Sequence, residues 1–210
     1  MSSDRAKKIK VVLFDVDGVL TDGTIWLFPS PSSAPRSTDA QVERVERHAN
    51  LPGYGIISQN VIEAKGFHAH DGTAVSLARL GGLKTGVVTK RISETVALRA
   101  RDLRLDYVFQ GAANKSDVLD QILAESGIRE EEVAYLGDDV IDLPIMRRCG
   151  LAMAVANARP QVKAIAHYET PSDGGKGAAR DAVEYILKAQ GTLDLTLEAY
   201  IHARTSIREQ

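Results

Sequence analysis

The chain has 210 residues, of which 44% are hydrophobic and 26% are charged, a composition ordinary for a globular protein with a hydrophobic core. Its formal net charge of −2 argues against nucleic acid or an anionic membrane surface as the main partner. The single cysteine, Cys149, excludes an internal disulfide, and without a membrane-length apolar stretch or a secretory signal the chain is expected to be cytoplasmic.

The first predicted strand, residues 11–14, is apolar and runs directly into Asp15, Asp17 and Gly18. Such a strand is typical of a buried parallel sheet, whose carboxyl edge is where open α/β folds bind ligands. Two acids one residue apart at that edge repel each other unless a cation or a proton compensates. The spacing therefore indicates a Mg²⁺ site that carries a nucleophilic carboxylate. A calcium loop is excluded, because its twelfth position would be Trp26 and not glutamate, whereas a plain turn stays open.

The next segment predicts a small hairpin flap with an insertion. Residues 24–28 follow an Asp-Gly turn and are expected to pair with a second extended run near 61–69. Residues 29–41 contain three prolines and four serines, which predicts a loop or a disordered segment. Residues 42–60 show no clear pattern.

From residue 72 onward, short apolar runs alternate with amphipathic segments. The predicted strands are 85–89, 106–109, 133–137, 151–155 and 167–169, and the predicted helices are 72–80, one that begins near Ser93, 115–126, 142–148 and 176–189. This alternation predicts βαβ units, so the fold class is α/β, a doubly wound parallel sheet with a small β-hairpin flap. We expect one domain over residues 8–191, with the flap and insertion at about 22–70, followed by a tail over 192–210 that is either helical or loose.

Polar residues after the later strands add the remaining groups that phosphoryl transfer requires. Thr89 ends one strand, Lys115 opens a helix, and Asp138, Asp139 and Asp142 follow Tyr-Leu-Gly. Taken singly, the threonine is typical of a helix cap and the lysine of a solvated helix end. Together, on parallel neighbouring strands, they would enter one crevice with the first acidic pair. Phosphoryl transfer requires such a nucleophile, metal-binding acids and donors for the phosphate oxygens.

These four segments resemble the four motifs of the haloacid dehalogenase (HAD) superfamily of phosphohydrolases. The similarity extends from Lys10 to Gly191 and includes the strings at 109–115, 135–146 and 174–180. Within the superfamily the chain is similar to the small-cap subgroup that contains 3-deoxy-D-manno-octulosonate 8-phosphate phosphatase. The resemblance implies a HAD-like α/β fold and a role in lipopolysaccharide biosynthesis.

The resemblance implies a two-step hydrolysis. Asp15 would attack phosphorus and form an aspartyl-phosphate. Asp17 would protonate the leaving sugar oxygen and then deprotonate the hydrolytic water. Thr89 and Lys115 would bind the transferring phosphoryl oxygens.

The resemblance also implies Mg²⁺ as the cofactor. The ion would be held by Asp15, the backbone carbonyl of Asp17, and Asp138. Either Asp139 or Asp142 would support these ligands.

By the same resemblance the substrate is a sugar-acid phosphate such as 3-deoxy-D-manno-octulosonate 8-phosphate. Arginine forks suit both the carboxylate and the phosphate of such a molecule. The matching substrate-contacting positions are Asp17, His68, Ala69, His70, Asp71, Gly72, Arg91, Arg99 and Lys115. The subgroup usually has asparagine and arginine at His68 and His70, arginine at Ser76 and glycine at Lys90. These differences change which positively charged side chains can contact the sugar. A nine-carbon keto-sugar-acid phosphate or another sugar phosphate is therefore an alternative substrate.

In the subgroup the flap is too small to close the site, so a neighbouring subunit of a homotetramer supplies the lid. The resemblance implies the same assembly here, with an interface near 22–28 and 63–69. Trp26 and Phe28 would then be exposed apolar groups in a single chain. The alternative is that both rings pack on their own domain.

Three other interpretations of these residues are a zinc site, a signalling domain and a non-catalytic module. Alternating histidines His68 and His70 on a strand could bind zinc, but Gly72 stands where that motif needs an aspartate. A response-regulator receiver is disfavoured because the acid cluster follows Lys115 and the chain is too long. A non-catalytic tetramerisation module stays open because Lys90 adjoins the site.

Overall fold

The protein is described here by a computed structural model that covers residues 1–29, 44–45, 53–54 and 61–206. Its strands are β1 Val11–Phe14, β2 Trp26–Pro29, β3 Arg44–Val45, β4 Gly53–Tyr54, β5 Val61–Ala64, β6 Lys84–Thr89, β7 Tyr107–Gln110, β8 Val133–Gly137, β9 Leu151–Ala154 and β10 Tyr168–Glu169. Its α-helices are α1 Ser2–Ala6, α2 Ala69–Leu80, α3 Glu94–Leu103, α4 Lys115–Ser126, α5 Leu143–Met146, α6 Pro160–Lys163, α7 Ala178–Ala189 and α8 Leu193–Ser206. None of these described helices combines the length and the apolar composition that crossing a bilayer requires.

Six strands form one parallel sheet in the order β10-β9-β8-β1-β6-β7. Strand β1 is buried along its whole length and lies between β6 and β8, with Phe14 beside Val87 and Leu136. Helices flank the sheet, and α2 packs against α7 and α8. The predicted doubly wound α/β fold is confirmed. Because the strand order reverses beside β1, the carboxyl ends of β1, β6 and β8 meet at one edge.

Local capping explains why the predicted start of α3 and the predicted bounds of α4 agree with the structure. Ser93 Oγ accepts a hydrogen bond from the Val96 N–H and begins α3. The Asn114 side chain accepts one from the Ser116 N–H and begins α4. Gly127, in the left-handed region at φ 67°, ends α4 as predicted.

The prediction was wrong at the start of α2. The expected extended run near 61–69 ends at Ala64, and α2 begins at Ala69 instead of 72. His68 Nδ1 accepts a hydrogen bond from the His70 N–H at 3.3 Å, so it caps this helix. The two histidines therefore do not alternate on a strand, which removes the geometry on which a zinc site was considered. Histidine is not a common helix cap, so the sequence carried a weak signal for this boundary.

Smaller differences lie near the C-terminal half. The predicted helix 142–148 is a 3₁₀ turn, Val140–Asp142, followed by the short α5. The segment left undecided after 192 forms α8 up to Ser206. Of the expected loop over 29–41 only Pro29 is described, and most of the unassigned 42–60 segment also lies outside the described residues.

The predicted flap is present as the antiparallel pair β2–β5, with Trp26 beside Ala64 and Phe28 beside Ile62. Trp26 is 57% exposed and Phe28 is 49% exposed, and their rings stack at a centroid distance of 6.4 Å. The prediction that both rings are exposed in a single chain is confirmed, since neither ring is buried. Because alternate residues of a strand share a face, Leu27 and Glu63 lie on the opposite face of the flap.

A kinked helical turn, Val16–Leu20, follows β1 and contains Asp17. The loop before α7 packs tightly on this turn. A Cβ added at Gly174 would lie 1.7 Å from the carbonyl oxygen of Gly18. The N–H of Gly175 donates to the Val19 carbonyl oxygen at 2.8 Å. The close backbone approach explains why glycine is required at 174.

We therefore expect Gly174→Ala to destabilise the protein by about 1–3 kcal/mol, since the added methyl forces the two backbones apart. The measurement is equilibrium unfolding in urea. The matched control is Gly66→Ala, where an added Cβ meets nothing within 4 Å and the backbone has no positive φ. Equal unfolding midpoints for the two variants would contradict the packing described here.

Candidate active site

The carboxyl edge of the sheet gathers residues that are far apart in the sequence. Asp15 follows β1, Thr89 ends β6, Asp138 follows β8, and Lys115 begins α4. Asp15, Thr89 and Lys115 are each at most 2% exposed. Since β6 pairs with β1 in parallel, Thr89 lies beside the turn that follows β1. The structure thus brings these predicted residues together in one buried crevice.

Lys115 lies at the centre of this crevice as a buried ammonium group. Its Nζ is 2.8 Å from Asp15 Oδ2, 2.6 Å from Asp142 Oδ1 and 2.9 Å from the Tyr135 hydroxyl. Burial alone would lower the pKa of Lys115, but the charges of Asp15 and Asp142 outweigh burial and raise the pKa. The ammonium therefore stays charged and offers a positive centre where an anion would approach Asp15.

Both carboxylate oxygens of Asp142 are already engaged. Oδ1 accepts from Lys115 Nζ and from the Tyr135 hydroxyl, the latter at 2.8 Å. Oδ2 accepts from the backbone N–H groups of Asp138 and Asp139, at 2.9 and 3.2 Å. Asp142 thus shapes the loop after β8 and orients Lys115. Asp139 Oδ1 accepts from the next backbone N–H and caps the short 3₁₀ turn.

Carboxylate oxygens of Asp15, Asp138 and Asp142 lie within 4.8 Å of one another. Among the described residues, Asp138 Oδ1 is one of three buried side-chain polar atoms without a hydrogen-bond partner. A Cβ at Gly18 would fall 2.2 Å from Asp138 Oδ2, so glycine leaves room for this carboxylate. Asp17 has non-helical backbone angles, φ −78° and ψ 109°, which turn its carbonyl out of the helical hydrogen-bond pattern.

The electrostatics of this acidic cluster favour a divalent cation. Burial, together with the neighbouring charges of Asp15 and Asp142, raises the pKa of Asp138 to about 7. Burial also raises the pKa of Asp15 to about 6, against the lowering effect of Lys115. A cation would relieve this repulsion. Hard oxygen donors in this number fit Mg²⁺.

The side chain of Asp17 faces the flap. Lys65 Nζ donates a hydrogen bond to Asp17 Oδ1, and Arg91 Nε lies 3.8 Å from Asp17 Oδ2. Glu63 completes the arrangement, because its carboxylate is 3.3 Å from an Arg91 nitrogen and 2.5 Å from Ser93 Oγ. Sequence reasoning missed Lys65 and Glu63. The available signal was their spacing of two residues at the end of a flap strand, which places both side chains on one face.

The predicted substrate positions His68, Ala69, His70, Asp71 and Gly72 lie at the start of α2, where Ala69 and His70 are exposed and Asp71 contacts α7. Asp71 is buried, and its two oxygens accept from the backbone N–H groups of Gly177 and Arg180 at 3.3 and 3.2 Å. Asp71 therefore caps the start of α7. Burial raises the pKa of Asp71, because desolvation outweighs these hydrogen bonds.

Gly72 makes room for the predicted substrate residue Arg99. A Cβ at Gly72 would lie 2.6 Å from one guanidinium nitrogen of Arg99. Arg99 also lies over the Phe67 ring at 5.7 Å and pairs with Asp102 at 2.6 Å. Nε of Arg99 and Nε of Arg91 are the other two buried polar atoms without a hydrogen-bond partner in the described residues. Lys90, the residue on which the non-catalytic alternative depends, is exposed.

Comparisons with known proteins agree with this geometry. Residues 89–180 match the family model of the haloacid dehalogenase-like hydrolases. The chain is 32% identical over 190 residues to 3-deoxy-D-manno-octulosonate 8-phosphate phosphatase KdsC of Escherichia coli (strain K12), which covers 90% of this chain and 85% of that relative.

Solved structures of similar proteins extend the comparison to the whole fold. A probable yrbI family phosphatase from Pseudomonas syringae pv. phaseolica 1448A has a TM-score of 0.77 and 38% identity, over 95% of this chain and 97% of that one. The 3-deoxy-D-manno-octulosonate 8-phosphate phosphatase of Moraxella catarrhalis, solved with a magnesium ion, a phosphate ion and a KDO molecule, has a TM-score of 0.77. It is 30% identical, over 95% of this chain and 97% of that one.

The raised pKa values of Asp15 and Asp138 predict how the metal-free protein responds to pH. The folded state holds protons that the unfolded state has released, so the stabilisation from these groups is complete below about pH 4 and is lost as pH rises through about 6–7. Asp138→Asn removes one of the repelling charges. With a chelator present, the difference in melting temperature between Asp138→Asn and the parent protein is therefore expected to grow in favour of the variant as the pH rises from about 5 to about 8.

Thermal denaturation with added Mg²⁺ checks the same cluster. The melting temperature of the parent protein should rise with Mg²⁺, and that of Asp138→Asn should rise much less, since binding to the folded state stabilises it. Asp194→Asn, an exposed carboxylate at the start of α8, is the control and should behave as the parent. A response of Asp138→Asn equal to that of the control would contradict the site.

Proposed function

This chain belongs to the haloacid dehalogenase-like hydrolases, and on that premise we propose that it is a Mg²⁺-dependent phosphatase. Its substrate is a sugar-acid phosphate such as 3-deoxy-D-manno-octulosonate 8-phosphate, the compound for which the KdsC relatives are named. The observation that carries the proposal is the cluster of the buried Asp15 and Lys115 with the partly buried Asp138 at the carboxyl edge of the sheet. As in the sequence-based expectation, the reaction takes place in the cytoplasm and serves lipopolysaccharide biosynthesis.

The residues that would hold Mg²⁺ are the carboxylates of Asp15 and Asp138 together with the backbone carbonyl of Asp17. The partnerless Oδ1 of Asp138 supports this assignment. Asp142 contributes indirectly, since both of its oxygens already accept hydrogen bonds. When bound, Mg²⁺ supplies positive charge that draws the phosphate to Asp15 and offsets the charge of the transition state.

In the first half-reaction a carboxylate oxygen of Asp15 forms a bond to phosphorus while the phosphorus–oxygen bond to the sugar breaks. Asp17 gives its proton to the departing sugar oxygen. Lys115 and Thr89 hold the phosphoryl oxygens, and Lys115 offsets the repulsion between the phosphate and Asp15. In the second half-reaction Asp17 takes a proton from water, the water oxygen bonds to phosphorus, and the bond to Asp15 breaks to release phosphate.

Arg91 and Arg99 supply the cationic contacts to the sugar acid. Each has a buried Nε without a hydrogen-bond partner among the described residues, which leaves a donor for a substrate oxygen. The start of α2, from His68 to Gly72, is assigned to the sugar end of the site by the resemblance. Because the subgroup has asparagine and arginine where this chain has His68 and His70, a nine-carbon keto-sugar-acid phosphate is the alternative substrate.

Phosphate release over a panel of sugar phosphates, including eight- and nine-carbon keto acids, tests this function. The parent protein with Mg²⁺ is expected to hydrolyse a keto-sugar-acid phosphate with the highest kcat/KM. Asp15→Asn should lose turnover by about 10⁴-fold or more, because the nucleophile is gone, while its circular dichroism stays unchanged. Turnover by the parent no faster than by Asp15→Asn would instead favour a non-catalytic module.

The flap supports a homotetramer in which a neighbouring copy covers the site. Trp26, Phe28 and Ile62 lie on one face of the hairpin, and each is between 48% and 57% exposed. A cluster of large apolar side chains exposed in this way is typical of an interaction surface. Glu63, on the other face, points toward Arg91 and Ser93 of the same chain. The apolar face is directed away from these residues and is exposed, as an interface with a second copy would require.

Phe28→Glu is expected to lower the mass in solution from four copies of the 22.7-kDa chain to fewer, because a charge is costly to bury in an apolar interface. Size-exclusion chromatography with light scattering measures this. Leu195→Glu is the matched control, since Leu195 is 75% exposed on α8, away from the flap. An unchanged mass for Phe28→Glu would refute an interface at this face.

A further inference from the structure

A buried lysine at the base of the flap has no role in the reaction described so far. None of the side chain of Lys65 is exposed, although the residue directly follows flap strand β5, none of whose four residues is fully buried. Its Nζ donates to Asp17 Oδ1 and lies 3.9 Å from Glu63 Oε1. A buried ammonium is costly unless it is paired, and here it is paired with the proposed acid–base residue.

We propose that Lys65 is a positioning residue for proton transfer: it anchors Oδ1 of Asp17 so that Oδ2 carries the proton to the leaving oxygen. This inference rests on the proposed function and adds a residue to it. The proton moves from Asp17 Oδ2 to the ester oxygen as the phosphorus–oxygen bond breaks. Lys65 keeps its own protons throughout.

The contacts of the two Asp17 oxygens differ in the way this role requires. Oδ1 is held by the Lys65 ammonium. Oδ2 lies 3.8 Å from Arg91 Nε, which is beyond hydrogen-bond distance. Anchoring one oxygen limits the rotation of the carboxyl group and keeps the other available. Such control matters because a displacement of about 1 Å in a reacting group can cost about 10²-fold in rate.

Lys65 is itself held by the flap, and the flap is tied to α3. Glu63 Oε1 accepts from Ser93 Oγ at 2.5 Å, and the Glu63 backbone carbonyl accepts from Thr95 Oγ1 at 3.2 Å. Arg91 joins the same group through Glu63 at 3.3 Å. The position of Asp17 thus depends on a hairpin strand more than forty residues away in the chain, through the pair Lys65 and Glu63.

Stability alone does not account for this lysine. A buried ion pair is often no more stable than well-packed apolar side chains of similar volume. Phosphate binding does not account for it either, because Lys115 already supplies the buried ammonium beside Asp15. The contact that distinguishes Lys65 is the one to Asp17.

The leaving group of the substrate tests this role. An alkyl phosphate such as 3-deoxy-D-manno-octulosonate 8-phosphate needs a proton on its leaving oxygen, whereas 2,4-dinitrophenyl phosphate departs as a stable phenolate. For Lys65→Met, kcat/KM for the alkyl phosphate is expected to fall by about 10²-fold or more. kcat/KM for the aryl phosphate should fall much less. Lys65→Arg, which keeps a cationic donor, should recover part of the loss with the alkyl substrate.

Lys188→Met is the matched control, because Lys188 is an exposed lysine near the end of α7. It should leave both rates unchanged. If Lys65→Met reduces both substrates equally, the lysine is merely structural and the proposal is overturned. It is also overturned if neither rate changes.

If Lys65→Met does not fold, as judged by circular dichroism, the same ratio of rates is measured on Lys65→Gln. Failure of both variants to fold would overturn the proposal in favour of a structural role. The parent protein separates this outcome from the proposed function: a parent that hydrolyses neither substrate refutes the phosphatase itself. A parent active on both, with an unchanged ratio in the variants, refutes only the role of Lys65.

Discussion

The buried ion pairs of Lys115 with Asp15 and Asp142 are the contacts on which the site depends. They join the turn after β1, the start of α4 and the loop after β8. When ionised, Asp15, Asp138 and Asp142 carry three negative charges, and Lys115 supplies one positive charge, which leaves two negative charges. That remainder equals the charge of a divalent cation. Lys115 therefore joins these three elements, and a bound Mg²⁺ would balance the two negative charges that remain on these four groups.

The two faces of the flap differ in their side chains and in their surroundings. The face with Trp26 and Phe28 is apolar and exposed, which suits contact with another copy of the chain. The face with Glu63 turns inward and, with Lys65, reaches Asp17. Because strand residues alternate between faces, one short hairpin can present an assembly surface and a catalytic contact at once. The proposed interface and the proposed positioning contact thus belong to a single two-stranded unit.

Much of the fold could be predicted because its signals are local. Asn114 and Gly127 bound α4, and the apolar run of β8 ends where the acids begin. The start of α2 was missed because His68 is an unusual cap and because its neighbours carry no strong helix signal. Asp71 was expected to contact the substrate, and in the structure its carboxylate caps the start of α7. That cap joins residues more than a hundred positions apart, so no local pattern records it.

The amino-acid sequence by itself determined the α/β alternation, the position of Asp15 after a buried strand, and the identities of Thr89, Lys115 and Asp138 at the ends of their elements. These follow from hydrophobic periodicity and capping, which act over a few residues. The three-dimensional packing, in contrast, determines which carboxylates lie close together and which already accept hydrogen bonds, as both oxygens of Asp142 do. It also decided that Lys65 reaches Asp17, because such contacts depend on how strands and loops pack in three dimensions.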